Sequence, residues 1–304
     1  MGELVNGVWA EKGFETDEQG SFKRKASTFR EKDPVFAPGR YHLYASLACP
    51  WAHRALIFRI LKGLEGSIGL TLTDPYMGIN GWWFPEPEPL YGYRYLHQIY
   101  TAARPDFSGR VTVPVLWDRE RRTIVNNESA DVIRIFNRWG KGPDFAPEDL
   151  VPEIDRINEL VYENVNNGVY RAGFATRQAA YETAYARLFE MLDVLEQRLS
   201  QQRYLCGDRL TEADWRLFTT LFRFDAVYYG HFKCNKKRIQ DYPNLSGFLR
   251  ELYQIPGVAG TCSLDHIKRH YYGSHRQINP TGIVPLGPEQ DLLQPHSRAH
   301  LAAR

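Results

Sequence analysis

No two cysteines in this chain form a C-x-x-C pair. The four present, Cys49, Cys206, Cys234 and Cys262, stand far apart, which argues against a zinc ribbon and against a dithiol oxidoreductase. In a reducing compartment they are expected to be free thiols unless one of them is chemically employed. The sequence also lacks any apolar run approaching the roughly 18 to 20 residues that span a bilayer, so no membrane partner is expected. Its start has neither the basic residues nor the apolar stretch of a secretory signal. It opens on Met-Gly, but Asn6 stands where a myristoylation motif takes Ser or Thr. Nor does charge of one sign predominate. With 38 basic and 36 acidic residues the net charge is +2, so nothing electrostatic points to nucleic acid. Metal-ligand spacing is missing as well. His266, His270 and His275 cluster around Tyr271 and Tyr272 without cysteines or carboxylates at ligand-like spacing, and no metal is expected. His266 and His270, one helical turn apart, read as packing or polar-face residues. Together these absences describe a soluble cytoplasmic protein.

What is present is enough for a core. With 43% apolar and 13% aromatic residues among 304, the chain can fill one large domain or two ordinary ones. Residues 1 to 40 are polar and punctuated by Gly and Pro, and read as an irregular extension. RYHLYAS (40–46) alternates as a strand does. Ala52, Leu56, Ile57, Ile60, Leu61 and Leu64 then fall on one helical stripe, and SIGLTLTDP (67–75) reads as the next strand. A long aromatic and Pro-rich loop follows, too long for an inert connection. VTVPVLWD (111–118) and RTIVNN (122–127) suit a hairpin, and ESADVIRIFNRWG a short helix stopped by Gly140. From about 150 to 255 the periodicity is helical, over 152–167, 176–200, 212–228 and 243–254. Thr211 and Asp214 are spaced as a capping box, assigned here to folding. The expected fold class is α/β followed by all-α, with boundaries at 1–40, 41–145, 146–275 and a Pro-rich, extended or partly disordered tail over 276–304.

LACPWAHRALIFRIL (47–61) places Cys49 where the strand gives way to the helix. Pro50 suits the first helical turn, because its missing N–H would have had no partner there. The free N–H groups and macrodipole of a helix start favour negative charge, so the Cys49 thiol is expected to ionise more readily than an ordinary cysteine. His53 and Arg54 would add positive charge nearby. For Cys206 and Cys262 the plain reading is a buried structural thiol, and for Cys234, beside Asn-Lys-Lys, a partly exposed spectator. With Ala52 where a second cysteine would stand, any resolving thiol must come from outside the chain.

Pro114 interrupts a strand pattern. It reads either as an edge-strand residue or as a cis-proline that turns the Val113 backbone outward to pair with an extended ligand. Glu128 and Ser129 stand at another helix start. They read either as ordinary caps or as a site in which free N–H groups and the Ser hydroxyl take a carboxylate while Glu128 takes an ammonium. The two charges together describe a free amino-acid head.

Cys-Pro at the strand–helix turn, VTVPVLWD and NNESADVIRIFN, followed by a helical half, resemble a cytosolic glutathione transferase. SLACPWAHRALIFRILKGLE, NGWWF, SGRVTVPVLWD and NNGVYRAGFA resemble one branch of it, the glutathionyl-hydroquinone reductases or Xi class, over roughly residues 40 to 275. The resemblance implies a thioredoxin-like glutathione-binding domain followed by an all-helical domain that forms an aromatic-substrate pocket. It implies glutathione as co-substrate, no metal, and a homodimer. It also implies that Cys49 attacks the glutathione sulfur of a glutathionyl-hydroquinone, and that a second glutathione resolves the mixed disulfide. By the same matching the glutathione site comprises Trp82, Arg110, the Val113 backbone, Glu128 and Ser129. Tyr170 matches the proton donor to the leaving aromatic carbon, and Tyr228 and Tyr271 match tyrosines that support the thiolate. Each of Trp82, Tyr228 and Tyr271 adjoins a like residue (Trp83, Tyr229, Tyr272), and sequence alone does not choose within the pairs. Two other readings stand beside this one. The first is a general glutathione transferase or thiol transferase on the same fold, reducing dehydroascorbate or mixed disulfides. The second is a non-enzymatic redox sensor or scaffold. A cysteine at position 49 argues against conjugation, since the resemblance implies Ser or Tyr there in the conjugating members of this fold.

Overall fold

The computed structural model describes residues 2–301; the last three residues of the expected tail, 302–304, lie outside them. The described chain forms two compact units that interleave along the sequence. The first comprises the residues up to Phe14, Arg24–Pro143 and Thr261–Val284. The second comprises Glu15–Lys23, Asp144–Gly260 and the segment from Pro285 onward. Contiguous boundaries at 40, 145 and 275 do not anticipate this exchange of segments.

The expected irregular extension begins instead as a hairpin. Strands β1 (Gly2–Val5) and β2 (Val8–Glu11) pair antiparallel with Val5 opposite Val8. Asn6 and Gly7 form the two-residue turn, both with positive φ, as a type I′ turn requires. The Asn-Gly pair was a readable signal for it. Strand β3 (Tyr41–Ala45) leads into helix α1 (Pro50–Leu61), and β4 (Ile68–Leu72) returns parallel to β3. Within the expected loop lies helix α2 (Leu96–Ala103), which buries Leu96, Ile99 and Tyr100 on one side. The spacing i, i+3, i+4 is helical, but the surrounding prolines and aromatics obscure it. Short strand β5 (Gly109–Arg110) joins the N-terminal hairpin to make a three-stranded sheet.

Strands β6 (Val115–Asp118) and β7 (Thr123–Asn126) form the expected antiparallel pair and complete a four-stranded sheet of order β4-β3-β6-β7. Its centre is buried on both faces: every residue of β3 and β6 is buried, as suits strands covered on both sides. Helix α3 (Ser129–Trp139) ends at Gly140. A Cβ there would lie 2.4 Å from the Lys62 carbonyl oxygen, so the glycine serves the close approach to the end of α1. Its φ of −90° is one that any residue adopts. The unit is completed by α9 (Leu264–Ser274), which the sequence reading left unassigned; the Ser263 hydroxyl caps it by accepting from His266 N at 3.2 Å. One parallel and two antiparallel pairings, with α1 and α3 packed together, make this unit thioredoxin-like.

The second unit is helical. It contains α4 (Val151–Val161), α5 (Gly168–Gly173), α6 (Gln178–Gln201), α7 (Glu212–Arg223) and α8 (Pro243–Tyr253). Helices α4 and α7 each run on into a wider π turn, Tyr162–Asn166 and Phe224–Tyr228. The expected capping box is present. Asp214 Oδ2 accepts from Thr211 N at 2.8 Å and from the Thr211 hydroxyl at 3.0 Å, while Oδ1 takes Leu205 N at 2.7 Å. The C-terminal segment has little regular structure, as an extended tail would, and it is anchored to the helical unit. Arg298 is buried, pairs with Glu251 at 3.2 Å, and donates to the carbonyls of Leu199 and Arg203. Among the described residues no helix is long and apolar enough to cross a membrane.

Candidate active site

Cys49 is the N-cap of α1, in extended conformation, with Pro50 in the first helical turn. It is 9% exposed, and its Sγ lies 3.6 Å from the Val113 carbonyl oxygen. The Val113–Pro114 peptide is cis, and Pro114 stands just before β6. Four and five residues on, His53 and Arg54 are buried. The Arg54 guanidinium stacks over Trp51 at 4.6 Å and donates to the Ser129 hydroxyl at 3.3 Å. It therefore ties the start of α1 to the start of α3. The His53 ring reaches Thr261 Oγ1 at 2.8 Å.

Glu128 is the N-cap of α3 and accepts from Ala130 N at 3.2 Å through Oε1. Its other oxygen takes the Ser27 hydroxyl at 3.1 Å, so the extension reaches the helix start. Ser129 follows, buried. One residue missed by the sequence reading organises this corner. The Tyr100 hydroxyl of α2 donates to the Thr112 carbonyl at 2.8 Å, and accepts from Thr112 N at 3.2 Å and Asn127 Nδ2 at 3.0 Å. It joins the residue before Val113 to the residue before Glu128. No local pattern marks such a tyrosine.

Arg110, in β5, donates to the carbonyls of Gly2 at 3.3 Å, Lys12 at 3.1 Å and Gly13. Its guanidinium also lies 3.6 Å from Glu3, so it holds the N-terminal hairpin. Beside it is a cavity of about 380 Å³ walled by Leu4, Lys25, Ser27, Phe107, Arg110 and Asn127. Trp82 is buried and stacks on His270 at 4.7 Å. Its half-buried neighbour Trp83 donates to the Tyr76 carbonyl at 2.8 Å. Tyr271 is buried against the rings of His270 and His275, whereas Tyr272 is half-buried.

The structure thus brings Cys49, Val113, Glu128, Ser129, Trp82, Arg110 and Tyr271 into the first unit. Tyr170 and Tyr228 belong to the helical unit and pack edge to face, 6.0 Å apart, with Phe232 5.5 Å from each. Tyr228 is buried and Tyr170 half-buried. Two cysteine expectations are corrected. Cys234 is fully buried rather than partly exposed, and its backbone N–H donates to the Tyr228 carbonyl at 3.0 Å, folding the chain back on the end of the π turn. Cys262 is half-buried rather than in the core, since it lies in the turn that starts α9. Cys206 is buried as expected, and burial pushes its thiol up to about 11. His270 packs as expected, and among the described residues no group of three or more His, Cys, Asp or Glu could hold a metal ion.

Residues 48–139 match the glutathione S-transferase N-terminal domain, and residues 178–251 the glutathione S-transferase C-terminal domain. The chain is 54% identical to the glutathionyl-hydroquinone reductase PcpF of Sphingobium chlorophenolicum, covering 96% of this chain and 98% of that one. It is 52% identical to the glutathionyl-hydroquinone reductase YqjG of Escherichia coli, over 98% of both chains. Its fold matches the glutathione-bound structure of YqjG with a TM-score of 0.88 over 97% of this chain and 98% of that one, at 51% identity. It matches a Xi class transferase from Natrialba magadii with a TM-score of 0.92 at 46% identity, over 99% of this chain and 98% of that one. The chain belongs to the glutathione transferase family, in its Xi class of glutathionyl-hydroquinone reductases.

Proposed function

We propose that the protein reduces glutathionyl-hydroquinones to hydroquinones with glutathione as co-substrate. The Cys49 thiolate attacks the glutathione sulfur of the conjugate. The bond between that sulfur and the ring carbon breaks, its electron pair stays on the carbon, and Tyr170 supplies the proton. A mixed disulfide between Cys49 and glutathione remains. The thiolate of a second glutathione attacks it, releasing glutathione disulfide and restoring Cys49. Glutathione thereby does what a second cysteine does in a dithiol enzyme.

The observation that carries this reading is the position of Cys49. It caps a helix, where ionisation is favoured, 3.6 Å from the Val113 carbonyl, a backbone group suited to an extended peptide ligand. Glu128 and Ser129 supply the amino-acid head site, and Trp82 and Arg110 belong to the rest of the glutathione site. Tyr228 and Tyr271 support the thiolate. We assign the protein to the cytoplasm as a homodimer.

Incubation with a glutathionyl-hydroquinone alone, followed by intact mass, tests the reading. A single glutathione adduct is expected, absent from Cys49→Ala and removed by added glutathione. If hydroquinone is released with no adduct at any time, Cys49 is not the nucleophile.

A further inference from the structure

A second thiol of the first unit, Cys262, stands beside the His53 imidazole. Cys262 Sγ lies 3.6 Å from His53 Nε2. The same nitrogen lies 2.8 Å from Thr261 Oγ1, which is itself 3.9 Å from the sulfur. His53 and Thr261 are buried, while Cys262 is half-buried and within reach of a solute. A thiol and a hydroxyl therefore share one imidazole nitrogen at this junction, which sets a nucleophile beside a base. The imidazole belongs to α1 one turn after Cys49, and the His53 N–H donates to the Cys49 carbonyl at 3.0 Å. Cys206 and Cys234 lie elsewhere and are buried, and burial raises both thiols.

We propose that Cys262 is a site of glutathionylation by glutathione disulfide, with His53 as its base. The source of that disulfide rests on the function proposed above, whose resolving step releases it. Neutral His53 takes the Cys262 proton at Nε2, and the thiolate attacks one sulfur of glutathione disulfide. The S–S bond of the reagent breaks as the bond between Cys262 and glutathione forms. The departing glutathione thiolate takes the proton from His53. One protein thiol is oxidised and one glutathione sulfur is reduced, with no other reactant. The adduct sits against the helix whose first turn holds Cys49, so accumulated product slows turnover.

The full-length Cys49→Ala chain, treated with glutathione disulfide and followed by intact mass and peptide mapping, tests the chemistry. This chain needs no hydroquinone turnover, so the result is independent of the proposed function. One adduct is expected, on Cys262, forming at least about tenfold faster than on Cys206 or Cys234, and absent when Cys262→Ser is added. His53→Asn should slow it about tenfold. If that variant does not fold, the pH profile of Cys262 alkylation in the Cys49→Ala chain decides, with a midpoint below the ~8.5 of an ordinary thiol expected. In the otherwise unaltered protein, glutathione disulfide should lower turnover, and Cys262→Ser should keep the untreated rate while losing that sensitivity. Modification no faster than at the buried cysteines, an unchanged rate in a folded His53→Asn chain, or an ordinary alkylation midpoint would overturn the site. Sensitivity retained by Cys262→Ser would overturn the feedback.

Discussion

The hydroxyl of Tyr100 accepts a hydrogen bond from the side-chain amide of Asn127 at 3.0 Å while donating to the Thr112 carbonyl at 2.8 Å. One buried phenol thereby fixes the backbone on which Val113 is offered and the turn from which Glu128 and Ser129 rise. Burial raises its ionisation above the ordinary tyrosine range, so it remains a neutral donor at physiological pH. Tyr100→Phe leaves the Asn127 amide and the Thr112 backbone short of a partner. A stability loss of about 1–3 kcal/mol is expected in denaturant titration. The KM for glutathione should rise several-fold with kcat nearly unchanged, because the residue positions the proposed glutathione-binding groups at Val113, Glu128 and Ser129 and is itself not assigned a reacting atom. An unchanged KM in a destabilised protein would make the network purely structural.

As the proposed proton donor, Tyr170 should separate two chemistries. Breaking a carbon–sulfur bond requires a proton on the departing carbon, whereas thiol–disulfide exchange, which expels a thiolate, does not. Tyr170→Phe should lower hydroquinone release about a hundredfold or more and leave the reduction of a small glutathione mixed disulfide unaffected. Equal loss of both activities would remove Tyr170 from the role of proton donor.

His42 predicts a pH-dependent stability. It is buried in β3 with Nε2 2.8 Å from Thr71 Oγ1, and burial lowers its pKa to about 4 from 6.5. Between those values the unfolded chain binds the proton and the folded chain does not, so stability falls as pH drops through that window. From neutrality to about pH 5 this group alone accounts for a loss of about 2 kcal/mol. Denaturant titrations of the parent protein and His42→Gln at both pH values should differ by that amount. Identical pH dependence in the two would exclude His42 as the source.

Arg298 holds the C-terminal segment to the helical unit through Glu251 and several carbonyls. Arg298→Ala takes one of two guanidinium partners from Glu251, which keeps Arg203 at 2.6 Å, and strips buried carbonyls of their donor, so a loss of about 1–3 kcal/mol is expected. Limited proteolysis should then cut the chain between Pro285 and Arg298. Resistance equal to that of the parent would mean that Gln254, which donates to the Leu292 and Gln294 carbonyls at 2.8 and 2.7 Å, suffices as anchor.

Much of the fold was legible because its signals are local. Cys49-Pro50 marks a helix start through the geometry of the first turn. Thr211 and Asp214 bond across three residues, and the long stripe of α6 repeats at helical spacing. The N-terminal hairpin was equally local in Asn6-Gly7 and went unread amid polar neighbours. Helix α2 is short, at 8 residues, and its periodicity is crowded by aromatics on every side. Helix α9 follows a break at Ser263, and its buried side carries His270 and Tyr271 in place of plain aliphatics.

By itself the sequence determined where α1, α3, α6, α7 and α8 lie, which cysteine follows a strand and caps a helix, and which family the chain resembles. Those features depend on dihedral preferences and contacts within a few residues, and they survive without the rest of the chain. Only the tertiary structure decided that Tyr100 bridges Thr112 and Asn127, that Arg110 holds the N-terminal hairpin, and that Cys262 meets His53. The last pair is 209 residues apart in sequence. Contacts at that separation are set by how helices and sheet pack to bury apolar surface, and no spacing along the chain records them.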